Sequence, residues 1–290
     1  ARRGARLVLA ARDATALDET ARECKEVFGA QALAAPVDVR DEASVDAIAE
    51  LAVHTFGRID VWVNDAAHYM MGPLEAYPTR AIRELLDTNV MGVIHGMRTA
   101  LAVFRRQRTG VLVNLGSMGG KIAYAEAAAY CASKHAVHAL TEALRQELRG
   151  SDVHACLVVP GSIDTPLFQH AANYSGREIR AMRPVYDAER VARAVVSCAE
   201  RPRREVMVGA APRLMVLLDR LAPRLFERVT RALVLRDHLG RGGVLAHPGN
   251  LSEPRPPHAV SGEWRVRRSL GPRAAAEART LALPILTSGG

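Results

Sequence analysis

Lysine is nearly absent. Of 39 basic residues in the 290-residue chain only Lys25, Lys121 and Lys134 are lysines, and arginine supplies the rest. The arginines are scattered among 31 acids, so the net charge of +8 reads as a compositional bias rather than a basic patch. Aromatic residues are also scarce, at 4%. Few platforms remain on which bases could stack, so nucleic acid is not an expected partner. The four cysteines, Cys24, Cys131, Cys156 and Cys198, form no CxxC pair and have no ligand pattern around them. No structural zinc is expected and, with no secretory leader in view, the expected compartment is a reducing cytoplasm. Long hydrophobic runs are missing too, because Arg or Pro breaks each one well short of the roughly 20 residues that span a bilayer. No transmembrane helix is expected.

What the chain does have is a hydrophobic share of 49%, enough for a sizeable core, and a length suited to one main domain with an appendage. Short β-branched runs occur at residues 6–11, 32–37, 59–64, 110–115, 153–159 and 205–208. They alternate with stretches at 14–28, 42–56, 79–106, 125–149 and 188–200 whose apolar residues recur every three or four positions. That alternation predicts an α/β fold with a doubly wound, Rossmann-like parallel sheet over residues 1–209. Gly4 reads as the end of a helix with no start. A strand and most of a helix, on the order of 20 to 25 residues, are therefore expected to be missing before Ala1.

Beyond Gly209 the pattern changes, and residues 210–290 read as a helical extension with a tail. Leu214, Leu217, Leu218, Leu221, Leu225, Val229 and Leu233 recur at helical spacing, with Arg213, Arg220, Arg224 and Arg228 mostly on other faces. An amphipathic pair bent near Pro223 is predicted, packed over the core or against another subunit. Contact of 213–236 with a membrane surface is the alternative. From Gly240 onward, many Gly, Pro and Arg residues with little periodicity predict an irregular tail.

Candidate chemistry is concentrated in one stretch. Tyr130 and Lys134, four apart in an Ala-rich helical segment, share a helix face. An ammonium there would favour the phenolate and bring the phenol nearer neutrality as an acid and base. The alternative is a core tyrosine beside a solvated lysine. Ser117 follows a buried strand, where open α/β sheets bind ligands, although a turn or cap role fits it equally well. Asn89 sits in mid-helix, where Asn competes with backbone bonding, and a buried structural hydrogen bond would also account for it.

In order and spacing, Asn89, Ser117, Tyr130 and Lys134 resemble the catalytic tetrad of the short-chain dehydrogenases/reductases. The resemblance runs from about Ala1 to Val208 and includes "VDV" with Asp38 and Val39, "NDAA" with Asn64 and Ala66, and "PGSIDTP" with Pro160, Gly161, Ile163 and Thr165. It implies that Tyr130 exchanges the proton and Ser117 orients the substrate oxygen. Lys134 would lower the tyrosine pKa and hold the nicotinamide ribose, while Asn89 positions a relay water. Asp38 and Val39 would lie on the adenine side, and Pro160, Gly161, Ile163 and Thr165 would hold the nicotinamide. NAD-dependent members of such a family usually place an acid at the end of the strand 6–11. Here Ala11 and Arg12 stand there, so NADP(H) is favoured, with Arg12 on the 2′-phosphate.

Two departures stand out. The family's glycine-rich phosphate turn does not occur in this chain, and Asp65 and Ala67 replace the usual Asn and Gly. Ala67 is expected to resist a positive φ, and Asp65 to add charge near the cofactor. The expected activity is hydride transfer between NADP(H) and a small alcohol or carbonyl compound by a homo-oligomeric enzyme. A non-catalytic interaction protein on the same fold is the rival. Tyr69, Met70, Met71, Met118, Phe168, His170, Tyr174 and Tyr186 are candidate pocket residues, and their character suggests a moderately hydrophobic substrate.

Overall fold

The structure is a computed structural model describing residues 1–255 and 261–265. The chain opens with β1 (Leu7–Ala11), α1 (Ala14–Phe28), β2 (Ala32–Pro36), α2 (Glu42–Phe56), β3 (Val61–Asn64) and the short β4 (Met70–Met71). There follow α3 (Thr79–Leu86), α4 (Gly92–Gln107), β5 (Gly110–Leu115), α5 (Ala128–Glu147) and β6 (Val153–Pro160). Four short strands come next: β7 (Ser162–Ile163), β8 (Ala172–Asn173), β9 (Arg177–Ile179) and β10 (Val185–Tyr186). The remaining elements are α6 (Ala188–Glu200), β11 (Glu205–Val208), α7 (Ala210–Leu221), α8 (Pro223–Leu233) and β12 (Leu239–Gly242).

Local chemistry explains the sharpest boundaries. Asp13 and Asp41 cap α1 and α2 by accepting from Ala16 N at 3.1 Å and Ser44 N at 3.3 Å. Gly29 and Gly57 close the same helices at φ 64° and 82°, backbone that glycine adopts without steric cost.

The expected parallel α/β architecture is present. A parallel sheet of order β11–β6–β5–β3 carries the main core, and β1 and β2 form a separate parallel pair. Among the described residues, the facing edges of β1 and β3 are not hydrogen-bonded to any strand. One apolar cluster, including Phe104, Leu112, Val137 and Val159, joins β5 and β6 to α2, α4 and α5, with Val8 of β1 at its margin. A second, including Val113, Cys156, Val158 and Cys198, lies beneath α6. Helices thus cover both faces of the sheet.

Three expectations change. The single helix predicted over 79–106 is α3 and α4 joined by a π-helical turn, Asp87–Met91, in which Asn89 lies. Beyond β12 the described tail is irregular as expected, but it is packed onto the fold. β12 pairs antiparallel with β9, His247 bridges Asn173, and Leu251 is fully buried in a third cluster with Tyr69, Leu85 and Val234. Residues 256–260 and 266–290 of that predicted tail lie outside the described residues. Finally, α7 and α8 do bend at Pro223, but Leu214, Leu217, Leu221 and Leu225 are exposed on the same side as the arginines. Met215, Phe226, Thr230 and Leu233 face inward instead.

Candidate active site

The four residues that resemble a tetrad converge at the C-terminal ends of β3 and β5. Ser117 follows β5, caps a short 3-10 turn and accepts from Gly119 N at 3.1 Å. It is also the side-chain hydrogen-bond partner of Tyr130. Tyr130 and Lys134 lie one turn apart on α5, both buried. The Lys134 ammonium donates to Leu115 O at 3.0 Å. Asn89 is wholly buried: its Oδ1 accepts from His68 N at 2.7 Å, and its amide donates to His68 O at 2.9 Å and Ser133 Oγ at 3.0 Å. Asn89 therefore ties the loop after β3 to α5.

The electrostatics differ from expectation at one point. Burial pushes the Tyr130 phenol up from its ordinary value, and Ser117 pulls only partly the other way. Lys134 is not among the groups acting on it. Burial lowers the ammonium itself to about 8, opposed by the charge of Asp65. Asp65 stands at a solvent-reached position but is crowded by protein, so its carboxyl is raised, with Lys134 drawing it back down. Asp65 is thus an electrostatic partner of Lys134. Ala67 is not among the residues with positive φ, so the expected conflict there does not arise.

On the other side of the crevice the candidate cofactor residues are already engaged. Arg12, at the end of β1, donates to the carbonyls of Asn250 (2.6 Å), Leu251 (3.0 Å) and Ser252 (3.0 Å), and its Nη2 lies 3.2 Å from His68 Nε2. Asp38 is bound bidentately by Arg40, with Nε at 2.9 and 3.0 Å and Nη2 at 2.5 Å. The Val39 carbonyl lies 2.9 Å from His95 Nδ1. Asn64 turns inward, accepting from Trp62 Nε1 at 2.8 Å and donating to Asn114 Oδ1 at 2.8 Å, while Ala66 is exposed. Pro160 ends β6 and Gly161 packs close to Pro212. Ile163 pairs with Tyr186, and the Thr165 carbonyl accepts from Trp264 Nε1 at 3.1 Å.

Met118, next to Ser117 in the chain, lines a cavity of about 80 Å³ together with Ile122, Tyr186, Pro212, Met215 and Leu233 among others; Ser117 and Tyr130 themselves are not in its lining. Of the expected pocket residues, Met118 and Tyr186 line it. Tyr69, Met70 and Met71 are instead fully buried core, Tyr69 with its ring 4.6 Å from that of Tyr130. The His170 carbonyl accepts from Asn250 N of the C-terminal segment at 3.0 Å, whereas Tyr174 N donates to Met71 O at 2.8 Å.

Several contributors were missed in the sequence. His138 accepts from Ser117 N at 3.3 Å and is held neutral, its pKa lowered to about 3 chiefly by burial. Its position eight residues after Tyr130 puts it about two turns along α5, the one signal that could have found it. His68, lowered to about 4 by burial, bridges Arg12 and Asn250.

A parallel α/β sheet with a buried phenol, hydroxyl and ammonium at its strand ends defines an oxidoreductase of the dehydrogenase class. The family model described as short chain dehydrogenase matches residues 1–174, and the chain belongs to that family. It is 36% identical over 238 residues to the uncharacterized oxidoreductase YxnA of Bacillus subtilis, covering 81% of this chain and 67% of that protein. It is 30% identical over 236 residues to dehydrogenase/reductase SDR family member 7B of Bos taurus, covering 78% and 73%. Among solved structures, a short-chain dehydrogenase/reductase from Burkholderia phymatum in complex with NAD is 26% identical with a TM-score of 0.69. That match covers 77% of this chain and 86% of the other. The chain is an oxidoreductase acting on CH–OH/C=O groups, of a family that uses nicotinamide cofactors.

Proposed function

We propose that the chain exchanges hydride between NADP(H) and the carbinol or carbonyl carbon of a small, largely apolar alcohol or carbonyl compound. The observation that carries this reading is a buried Tyr130 hydroxyl paired with Ser117, one turn from Lys134, with Met118 next to Ser117 lining an apolar cavity.

The fit of a dinucleotide rests on Lys134. A buried ammonium has three donors, yet among the described residues its one hydrogen bond is to Leu115 O, which leaves donors for ribose hydroxyls. When bound, the cofactor supplies or accepts the hydride. Tyr130 gives the proton to the substrate oxygen, or takes it, while Ser117 holds that oxygen in line. The raised Tyr130 pKa keeps the phenol protonated until charge develops on the substrate. Both amide donors of Asn89 are committed, so a relay water would be met by the backbone of the π-turn.

Preference for NADP(H) follows from Arg12, with Ala11 and not an acid at the end of β1. A 2′-phosphate pairs with a guanidinium more strongly than neutral carbonyls do, so it displaces those of 250–252. Pro160, Gly161, Ile163 and Thr165 wall the nicotinamide side, and Val39, Asn64 and Ala66 the adenine side.

Tyr130→Phe removes only the transferable proton. kcat is expected to fall about 10²- to 10⁴-fold while NADPH binding, followed by fluorescence, is unchanged. Retention of more than about a tenth of kcat would take Tyr130 out of the chemistry.

A further inference from the structure

We infer that the hairpin of α7 and α8 is a docking face for anionic lipid bilayers, lying on the surface and not crossing it. Over these two helices, Leu214, Leu217, Leu221 and Leu225 are 66%, 51%, 75% and 51% exposed. Arg213, Arg220, Arg224, Arg228 and Arg231 are exposed at the adjoining positions, the last four of them three or four residues apart. The outer side of the hairpin is thus a stripe of leucines fringed with guanidinium groups. Its inner side is used otherwise: Ala211, Pro212, Met215, Thr230 and Leu233 wall the apolar cavity that Met118 also lines. A helix pair with one apolar side needed for the core has no structural reason to carry leucines on the other.

Charge selects the occupant. α7 and α8 hold five arginines against two acids, Asp219 and Glu227. Among the described residues, Arg220, Arg224, Arg228 and Arg231 have no ion pair or side-chain hydrogen bond. A second copy of the same face would bring these arginines against each other and is disfavoured by like-charge contact. A bilayer rich in acidic headgroups meets both features at once, taking the leucines into the headgroup boundary and the guanidinium groups onto phosphates. No helix among the described residues is long and apolar enough to cross a membrane. Docking in this pose sets the roof of the cavity against the lipid, beside a store of apolar alcohols and carbonyl compounds.

The test is flotation of the 290-residue chain with phosphatidylcholine vesicles made with and without phosphatidylglycerol. The chain is expected to rise only with the anionic vesicles. Leu217→Gln with Leu221→Gln keeps every charge and is expected to reduce the bound fraction about tenfold or more, since two leucine insertions are lost. Arg220→Gln with Arg224→Gln is expected to weaken binding, whereas Arg105→Gln with Arg106→Gln, which removes the same charge from exposed positions on α4, leaves it nearly unchanged. Far-UV circular dichroism melts verify that the exposed substitutions leave the fold intact. Three results would each overturn the inference: no flotation with anionic vesicles, equal flotation of the leucine variant, or equal losses from the two arginine pairs. The last two describe general adsorption of a cationic protein. If light scattering finds a dimer that the leucine variant abolishes, with no vesicle binding, the face is a self-contact and the inference fails.

Discussion

The four-stranded sheet and the β1–β2 pair are built from similar short apolar strands, yet they hold their functional residues by different means. β5 and β6 are buried along almost their whole length, with apolar clusters on both faces. Ser117, Tyr130 and Lys134 stand on that base through backbone turns and one helix, so rigid packing sets the geometry of the proposed proton transfer. β1 and β2 are half-buried and, among the described residues, pair as strands only with each other. Arg12, Asp38 and Arg40 at their ends are held by guanidinium contacts, four of them to carbonyls of the C-terminal segment. The chemical half of the crevice is self-supporting, whereas the half proposed for the adenosine end depends on distant chain.

Truncation should expose that contrast most strongly. Leu112→Ala opens a cavity at a wholly buried position of β5 and is expected to cost about 2–5 kcal/mol. Val8→Ala, at a half-buried position of β1, should cost about 1 kcal/mol. Urea unfolding measures both, and equal losses would mean that β1 is packed as tightly as β5.

Acid comes next. His138 is lowered from 6.5 to about 3, so the unfolded chain binds its proton first. Its contribution to stability is complete above about pH 6.5 and is lost as pH falls toward 3. His138→Gln should flatten the fall in melting temperature over that window; an unchanged slope would assign the acid sensitivity to other groups.

A smaller effect is expected from Gly249→Ala. Gly249 has φ 57°, and a Cβ there would lie 2.4 Å from the backbone of His170 and Ala171. The substitution should cost about 1–3 kcal/mol and open the segment to proteolysis near Arg255. If the cutting rate is unaffected, the segment is not seated through this turn. Smallest of all, Arg12→Ala should weaken NADP(H) about tenfold and leave NAD(H) nearly unchanged. Equal weakening, read by fluorescence titration, would deny Arg12 the discriminating role.

What the sequence disclosed follows the same division. The bounds of α1 and α2 were legible because their Asp caps and closing glycines act locally. β5 and β11 were legible from unbroken apolar runs between turn residues. Tyr130 and Lys134 could be singled out because one helical turn relates them. His68 and Asn250 could not, since they meet across 182 residues. The leucine stripe of α7 and α8 shows the limit of periodicity: spacing reveals that one helix side is apolar, but the orientation comes from the competing inward demand of Met215, Phe226 and Leu233. Asn89 marked an irregularity in its helix, although only the coordinates reveal it as a π-turn.

Arg12 grips carbonyls lying 238 to 240 residues further along the chain. At synthesis rates of about 5–20 residues per second, β1 leaves the ribosome roughly 10 to 50 seconds before its partner segment exists. Throughout that interval the guanidinium faces solvent, and the crevice stands open at one end. Residues 250–252 therefore complete a contact begun by β1, so nascent protein passes through a stage in which Ser117, Tyr130 and Lys134 are folded and the clasp at Arg12 is not.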